Sequence, residues 1–334
     1  MTHRLRRPGT GDPARRHISE RRRLRRRRRR RRAYIRSIYS LPSLATLLNA
    51  VSGFTAIYLA SAVRAAAGSG TSVNLIHAPG TVPWLTHGFM VPAYCIFLAM
   101  LFDGVDGRLA RFARHTTDFG GQLDSLADVI SFGLAPAFVA ICLFTTDGPR
   151  NPPVLISRFV WAAAALYMSC AALRLARFNV SNEHGEQHHF SFLGLPSPGA
   201  AGAITGLVLM QQELAFQAGA DGWLYKFLAA AAAVCIAAVP LLLPLLGQLM
   251  VSNIRYPHLV NRHLRGRRSL AWVVGVLTLV LLLVVANQYT VAIVSIGYAL
   301  WGTLAWAWTR VRRRPVHMPN PADHNPPPPG HTPV

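Results

Sequence analysis

Residues 224–250 read LYKFLAAAAAVCIAAVPLLLPLLGQLM, and this run decides the class of fold. Its apolar residues are continuous instead of recurring at the spacing of a helix that lies on a soluble core. The run is long enough to cross about 30 Å of hydrocarbon as a helix. Seven further apolar runs occur, at 41–62, 82–102, 127–144, 159–173, 197–214, 270–287 and 290–308. The sequence therefore predicts an all-α integral membrane protein with eight transmembrane helices.

The composition agrees with this class. Of the 334 residues, 51% are apolar and 14% are charged, which is less charge than a soluble protein of this length usually carries. The four cysteines all fall inside apolar runs without metal-ligand spacing, so we interpret them as small buried residues. Gly202 and Gly206 in the fifth run form a small-xxx-small pair, which predicts a close approach between helices.

Positive charge is concentrated near the N-terminus. Seventeen arginines lie between residues 4 and 36, including the unbroken run 25–32. Such a block repels itself and binds acidic surfaces without a fold, so we expect a disordered cytoplasmic tail that contacts anionic lipid. The run has no interleaved aromatic residues, and we expect no binding of nucleic acid. The connections after the second, fourth, sixth and eighth runs are also rich in arginine, which indicates that both termini are cytoplasmic.

Four aspartates lie between the second and third runs. The segments read FDGVDGRLAR over 102–111 and GGQLDSLAD over 120–128. The aspartates of the first segment are three residues apart and those of the second are four apart, so each pair shares one helix face. A turn near 116–121, which includes Asp118, would make the two helices antiparallel neighbours. We therefore expect the four carboxylates to converge just inside the cytoplasmic interface.

Four anionic groups at such short distances from one another require positive charge among them. Hard divalent cations with oxygen ligands meet this need, and two ions about 4 Å apart could clamp a diphosphate. Gly104, Gly107 and Ala110 are small and leave a groove for a nucleotide, while Arg111 could meet a phosphate oxygen. Aspartates near a membrane boundary also cap helices or line the ion pathway of a transporter, and this alternative stays open.

The string Asp103-x2-Asp106-Gly107-x2-Ala110-Arg111-x8-Gly120-x3-Asp124-x3-Asp128 resembles the full signature of the CDP-alcohol phosphatidyltransferase family. The resemblance covers roughly residues 40–250 and implies a six-helix core. It implies that two divalent ions, Mg²⁺ or Mn²⁺, are held by Asp103, Asp106, Asp124 and Asp128, and that Asp128 is the general base. It also implies that CDP is bound by Gly107, Ala110, Arg111 and Gly120.

The family uses several alcohols as acceptors, and further segments resemble its phosphatidylserine synthase branch. These are RLARFN at 174–179, FLGLPSP at 192–198 and LMVSNIRY at 249–256, together with LPS at 41–43, Asn49 and Gly53. We expect CDP-diacylglycerol and L-serine as substrates and CMP as a product. Arg174 or Arg177 could pair with the carboxylate of serine, and Asn179 or a carboxylate could accept hydrogen bonds from its ammonium group. Glycerol 3-phosphate or inositol phosphate as acceptor, and more distantly a cation-coupled transporter, remain open.

These expectations divide the chain into four parts. A disordered arginine-rich tail spans 1–37, and the catalytic transmembrane core of six helices spans 38–252. A cytoplasmic loop and two further transmembrane helices span 253–309, and a disordered proline-rich tail spans 310–334. We expect a protein of the bacterial inner membrane with a cytoplasmic active site, and the family resemblance is compatible with a homodimer.

Overall fold

The computed structural model describes residues 44–69, 88–113, 118–183, 191–218, 223–257 and 286–312, together with Thr278 and Leu282. Five helices in these ranges are long and apolar enough to cross a membrane, which makes the chain an integral membrane protein. Their spans are Leu44–Ser69, Met90–Arg108, Phe119–Asp147, Val154–Val180 and Trp223–Val251. The predicted helical membrane class is therefore confirmed.

The described chain is helical except for a two-stranded ribbon and short turns. The helices are α1 (Leu44–Ser69), α2 (Met90–Ala113), α3 (Asp118–Asp128), α4 (Ala135–Asp147), α5 (Val154–Glu183), α6 (Ser197–Gln217), α7 (Trp223–Val251) and α8 (Asn287–Arg312). A π-helical segment, Val129–Leu134, joins α3 to α4, so that the three form one continuous candidate span. The strands are β1 (Ser191–Leu193) and β2 (Arg255–Pro257).

The predicted runs correspond to these helices in different ways. The first four and the sixth coincide with the five candidate spans. The fifth and eighth coincide with α6 and α8, which are not among the five. Of the predicted seventh run, 270–287, most residues lie outside the described ranges, as do the N-terminal tail and residues 313–334 of the C-terminal tail. Residues 310–312, which we expected to be disordered, are the last residues of α8. The structure thus supports a polytopic helical protein with five candidate spans.

Helix α6 lies in the interior of the described bundle. It packs against α2, α4, α7, α8 and the π segment, and most of its residues are buried. A Cβ atom added at Gly206 would lie 2.8 Å from the Cα of Ala292 on α8, and one at Gly202 would lie 3.3 Å from the Oγ of Ser295. The small-xxx-small pair therefore allows the close helix contact that the sequence predicts.

The third membrane helix begins earlier than the sequence indicates. We expected a run over 127–144 and a turn that included Asp118, but α3 begins at Asp118. The prediction of a turn residue was wrong because residues 118–126 include few apolar residues, which hides a helix from a hydropathy search. An aspartate is stabilising at the positive end of a helix, so it suits the first turn of α3. The acidic pair of this helix consequently lies one to three turns inside it.

The start of α6 follows from its prolines. Pro196 immediately precedes the helix, and Pro198 lies in its first turn. Proline is tolerated there because the amides of the first turn have no partner within the helix. The segments 174–179, 192–198 and 249–256 come together at the end of the bundle where α5 and α7 end and α6 begins.

Candidate active site

Three carboxylates converge between α2 and α3. Asp103 lies on α2, and Asp124 and Asp128 lie on α3. One oxygen atom of each carboxylate lies within 4.8 Å of the corresponding atoms of the other two. Asp128 is buried, whereas Asp103 and Asp124 are half-buried. Hard oxygen ligands at such separations fit a divalent cation, whose charge would offset the repulsion among them.

The fourth aspartate of the motif has a different partner. Asp106 is buried and accepts a hydrogen bond from the hydroxyl of Thr46 on α1. Its carboxylate is not part of the three-oxygen group, but it lies close enough to repel Asp103 and Asp124 electrostatically. The structure thus brings three of the four predicted ligands together and turns the fourth toward α1.

Helix α1 supplies two polar side chains that the sequence did not assign to the site. Thr46 and Asn49 are buried and lie three residues apart, on one helix face. The Nδ2 of Asn49 donates a hydrogen bond to the Oδ1 of Asp128 over 3.1 Å. The Oδ1 of Asn49 is buried and has no hydrogen-bond partner among the described residues. A buried acceptor without a partner, beside an acidic cluster, suits a ligand that carries a donor or a positive charge.

The π segment fixes α1 against the acidic helix. Ser131 donates a hydrogen bond to the backbone carbonyl of Asn49 over 2.9 Å. A Cβ atom at Gly53 would lie 2.7 Å from the Cα of Ser131, so the two backbones approach closely only because this residue is glycine. On the other side, the hydroxyl of Tyr167 on α5 donates to the carbonyl of Phe132 over 2.8 Å. These contacts hold the segment that directly follows Asp128, as is common for π segments near functional sites.

A cationic side chain from α5 lies beside the aspartates. The Nη1 of Arg174 donates a hydrogen bond to the Oγ of Ser197 over 2.8 Å, and its guanidinium interacts electrostatically with Asp128. The Nε of Arg174 is buried and has no hydrogen-bond partner among the described residues. This N–H group is therefore available to an anionic ligand near Asp128.

The other two residues expected to bind serine make contacts elsewhere. The Nη2 of Arg177 donates to the Oδ1 of Asn253 over 3.1 Å. The Nδ2 of Asn179 donates to the Oγ of Ser125 over 2.9 Å, which fastens α5 to α3. Of these three predicted residues, the described contacts bring Arg174 to the acidic cluster.

Two of the segments with branch-like sequence form one structural unit. In the ribbon, β1 and β2 are antiparallel, with Phe192 opposite Tyr256. Gly194 follows with a positive φ of 83°, and its N–H donates to the carbonyl of Ile254 over 2.8 Å. A Cβ atom there would lie 2.2 Å from the carbonyl oxygen of Met250, so a glycine is required. The ribbon fixes the start of α6, and with it Ser197, beside Arg174.

The residues expected to bind CDP are described in part. Gly107 is exposed, and a Cβ atom added there, or at Gly104, would meet nothing within 4 Å. Gly120 is half-buried on α3. Ala110 and Arg111 belong to α2, but their side chains lie outside the described part of the structure. Open space therefore adjoins the acidic end of α2, as a nucleotide site requires.

A match to a known protein family identifies the class of membrane protein to which this chain belongs. Residues 39–242 match the family model of CDP-alcohol phosphatidyltransferase, and the chain belongs to that family. Helix α8 and strand β2 lie beyond the matched residues.

Several curated proteins with one name are similar to the chain. A CDP-diacylglycerol–serine O-phosphatidyltransferase of Helicobacter pylori is 31% identical over 231 residues, which are 68% of this chain and 84% of that protein. Its namesake from Methanocaldococcus jannaschii is 28% identical over 228 residues, 68% of this chain and 79% of the relative. The namesake from Mycobacterium tuberculosis strain H37Rv is 31% identical over 191 residues, 56% of this chain and 55% of the relative.

Proposed function

We propose that the chain transfers the phosphatidyl group of CDP-diacylglycerol to the hydroxyl of L-serine and releases CMP. The observation that carries this proposal is the guanidinium of Arg174 beside a cluster of three carboxylates. The cluster suits diphosphate chemistry, and the guanidinium suits an acceptor with a carboxylate. The names of the relatives from two bacteria and an archaeon support the same reaction.

The reaction is a direct displacement at phosphorus. The serine oxygen forms a bond to the phosphorus that bears diacylglycerol, and the bond from this phosphorus to the oxygen of CMP breaks. The hydroxyl proton passes to Asp128, which is buried and oriented by Asn49. No covalent bond to the enzyme is needed, and no nucleophile–base pair of Ser, His or Cys is found among the described residues of the site.

The aspartates are the residues that would hold the metal. Asp103, Asp124 and Asp128, with Asp106 beside them, would hold two divalent ions, Mg²⁺ or Mn²⁺. Such ions neutralise charge on a diphosphate and on the departing CMP. Gly107 and Gly104 leave space for the nucleotide next to these carboxylates. With Arg111 and Ala110 from the same helix and Gly120 from α3, they would form the CDP site.

The acceptor would bind on the α5 side of the cluster. Its carboxylate would accept a hydrogen bond from the Nε of Arg174, which is buried and has no partner among the described residues. Two carbon atoms separate the hydroxyl oxygen of serine from its carboxylate group, so the hydroxyl would then lie near Asp128. Arg177 and Asn179 would act indirectly, by holding the ribbon and α3 in position.

The site would face the cytoplasm of a bacterial cell, with eight helices crossing the inner membrane. The arginines of the motif regions lie at the same end of the bundle as the aspartates, which agrees with the positive-inside rule. CDP-diacylglycerol would enter from the inner leaflet, where the arginine-rich tail would contact anionic lipid.

The proposal is tested with purified protein in mixed micelles. CDP-diacylglycerol is incubated with serine, glycerol 3-phosphate or inositol phosphate separately, and CMP and the lipid product are measured. We expect phosphatidylserine and CMP in equal amounts with serine alone, and Asp128→Asn to lower the rate by at least about 100-fold. CMP release with another acceptor but not serine would contradict the choice of acceptor. No CMP release with any acceptor would favour the transporter alternative.

A further inference from the structure

We propose that α8 completes the acceptor site and that Tyr298 is a positioning residue that determines specificity for the acceptor's anionic group. This inference rests on the proposed transfer to serine. Helix α8 begins at Asn287, well beyond the residues 39–242 that match the family model. A family with shared diphosphate chemistry and different acceptors is expected to select the acceptor partly with elements outside its shared region, which here would act on Arg174 within it.

The ring of Tyr298 lies on the first turn of α6. A Cβ atom added at Gly199 would lie 2.9 Å from the Cε1 and 3.3 Å from the Cδ1 of Tyr298. The same added atom would lie 3.6 Å from the Cδ1 of the fully buried Leu195. Gly199 thus leaves a space for the ring that the side chain of any larger residue would fill.

The space that holds the ring of Tyr298 is close to the guanidinium of the acceptor site. Ser197, which accepts the hydrogen bond from the Nη1 of Arg174, is two residues before Gly199. Arg174 also interacts electrostatically with Tyr298, as it does with Asp128. The guanidinium therefore contacts Ser197 on α6 and lies within electrostatic range of Asp128 on α3 and Tyr298 on α8.

The arrangement leaves one edge of the guanidinium for a ligand. Ser197 occupies Nη1, and Nε is buried without a partner among the described residues. A buried donor is unfavourable until an acceptor arrives, and a carboxylate is the acceptor that a guanidinium binds best. Tyr298 and Ser197 fix the orientation of this edge, so that an acceptor bound to it presents its hydroxyl to Asp128. An alcohol without an anionic group gains nothing from this arrangement.

The test separates the two substrates kinetically. Tyr298→Phe keeps the ring on Gly199 and removes its hydroxyl. We expect KM for serine to rise about 3- to 10-fold, the effect of one lost hydrogen-bonding group, while KM for CDP-diacylglycerol stays unchanged. The preference for serine over ethanolamine, which lacks the carboxylate, should fall by the same factor.

A matched control lies on the same helix. Tyr289 is also half-buried on α8, nine residues or about 13.5 Å before Tyr298. Tyr289→Phe should leave KM for serine and the preference over ethanolamine unchanged. If Tyr298→Phe raises KM for both substrates equally, or leaves KM for serine unchanged, the proposal is overturned.

A double variant tests whether Tyr298 acts through Arg174. If Ser197 and Tyr298 both orient this guanidinium, Ser197→Ala combined with Tyr298→Phe should raise KM for serine by less than the product of the single effects. Fully multiplicative effects would count against the proposal.

Activity of the protein without substitutions shows whether the proposed function itself fails. If this protein uses glycerol 3-phosphate and not serine, the serine assignment fails, but the phosphate of that acceptor would bind the same guanidinium. Tyr298→Phe should then raise KM for glycerol 3-phosphate alone, and an unchanged value would overturn the role of Tyr298.

Discussion

At the scale of single residues, two arginines on one helix make a decisive comparison. Arg174 is half-buried beside Asp128, whereas Arg177 is exposed and donates to Asn253. We expect Arg174→Ala to raise KM for serine about 10- to 100-fold, because it removes a charged hydrogen-bond donor. Arg177→Ala, measured under the same conditions, should change it less than about 3-fold. An equal rise in both variants would show that the acceptor site was assigned to the wrong part of α5.

Asn49 gives a second prediction at this scale. Its amide donates a hydrogen bond to Asp128, and among the described contacts no other side chain of α1 does so. Asn49→Ala should lower kcat about 10-fold, because Asp128 loses the hydrogen bond that orients it. Thr55→Ala is the control, since Thr55 lies on the same helix and bonds to the backbone carbonyl of Val51. The measurement is kcat at saturating levels of both substrates, and equal values for the two variants would exclude the role of Asn49.

At the scale of elements, the ribbon and its glycine fix the start of α6. Gly194→Ala forces a side chain into a positive φ and against the carbonyl of Met250. We expect a loss of about 1–3 kcal/mol in the free energy of unfolding, seen as a lower temperature of half-denaturation in detergent. Gly297→Ala on α8 is the matched control, because a Cβ atom there meets nothing within 4 Å. An unchanged temperature for Gly194→Ala would mean that the ribbon does not stabilise the bundle.

The sequence predicted those features that depend on local spacing. Asp124 and Asp128 share a face because four residues separate them, whatever the rest of the chain does. The contact between Thr46 and Asp106 joins residues 60 positions apart, and the pairing of Phe192 with Tyr256 joins two helix ends. Neither contact leaves a periodic pattern in the sequence, because each contact depends on how whole helices pack. The π segment escapes prediction for the same reason, since its side-chain hydrogen bonds join it to distant residues, Tyr167 on α5 and Asn49 on α1.

At the scale of the whole molecule, the acidic cluster links metal binding to stability. Carboxylates on α2 and α3 repel one another until a cation joins them. We expect Mg²⁺, in the absence of substrates, to raise the temperature of half-denaturation, and excess chelator to abolish CMP release until Mg²⁺ or Mn²⁺ is restored. Asp124→Asn should lose most of the thermal shift. Sodium chloride at equal ionic strength is the control, and an equal shift with this salt would contradict a specific metal site.

The ribbon also limits how far the chain can be shortened. The family match stops at residue 242, but Gly194 and Leu195 bond to carbonyls at Ile254 and Leu249. A gene fragment cut at the family boundary would remove these acceptors and leave the beginning of α6 without its anchor. Engineers who wish to trim this protein should therefore expect a fragment that ends before Pro257 to be an unreliable reagent, and should also retain α8, which packs against α6 and carries Tyr298.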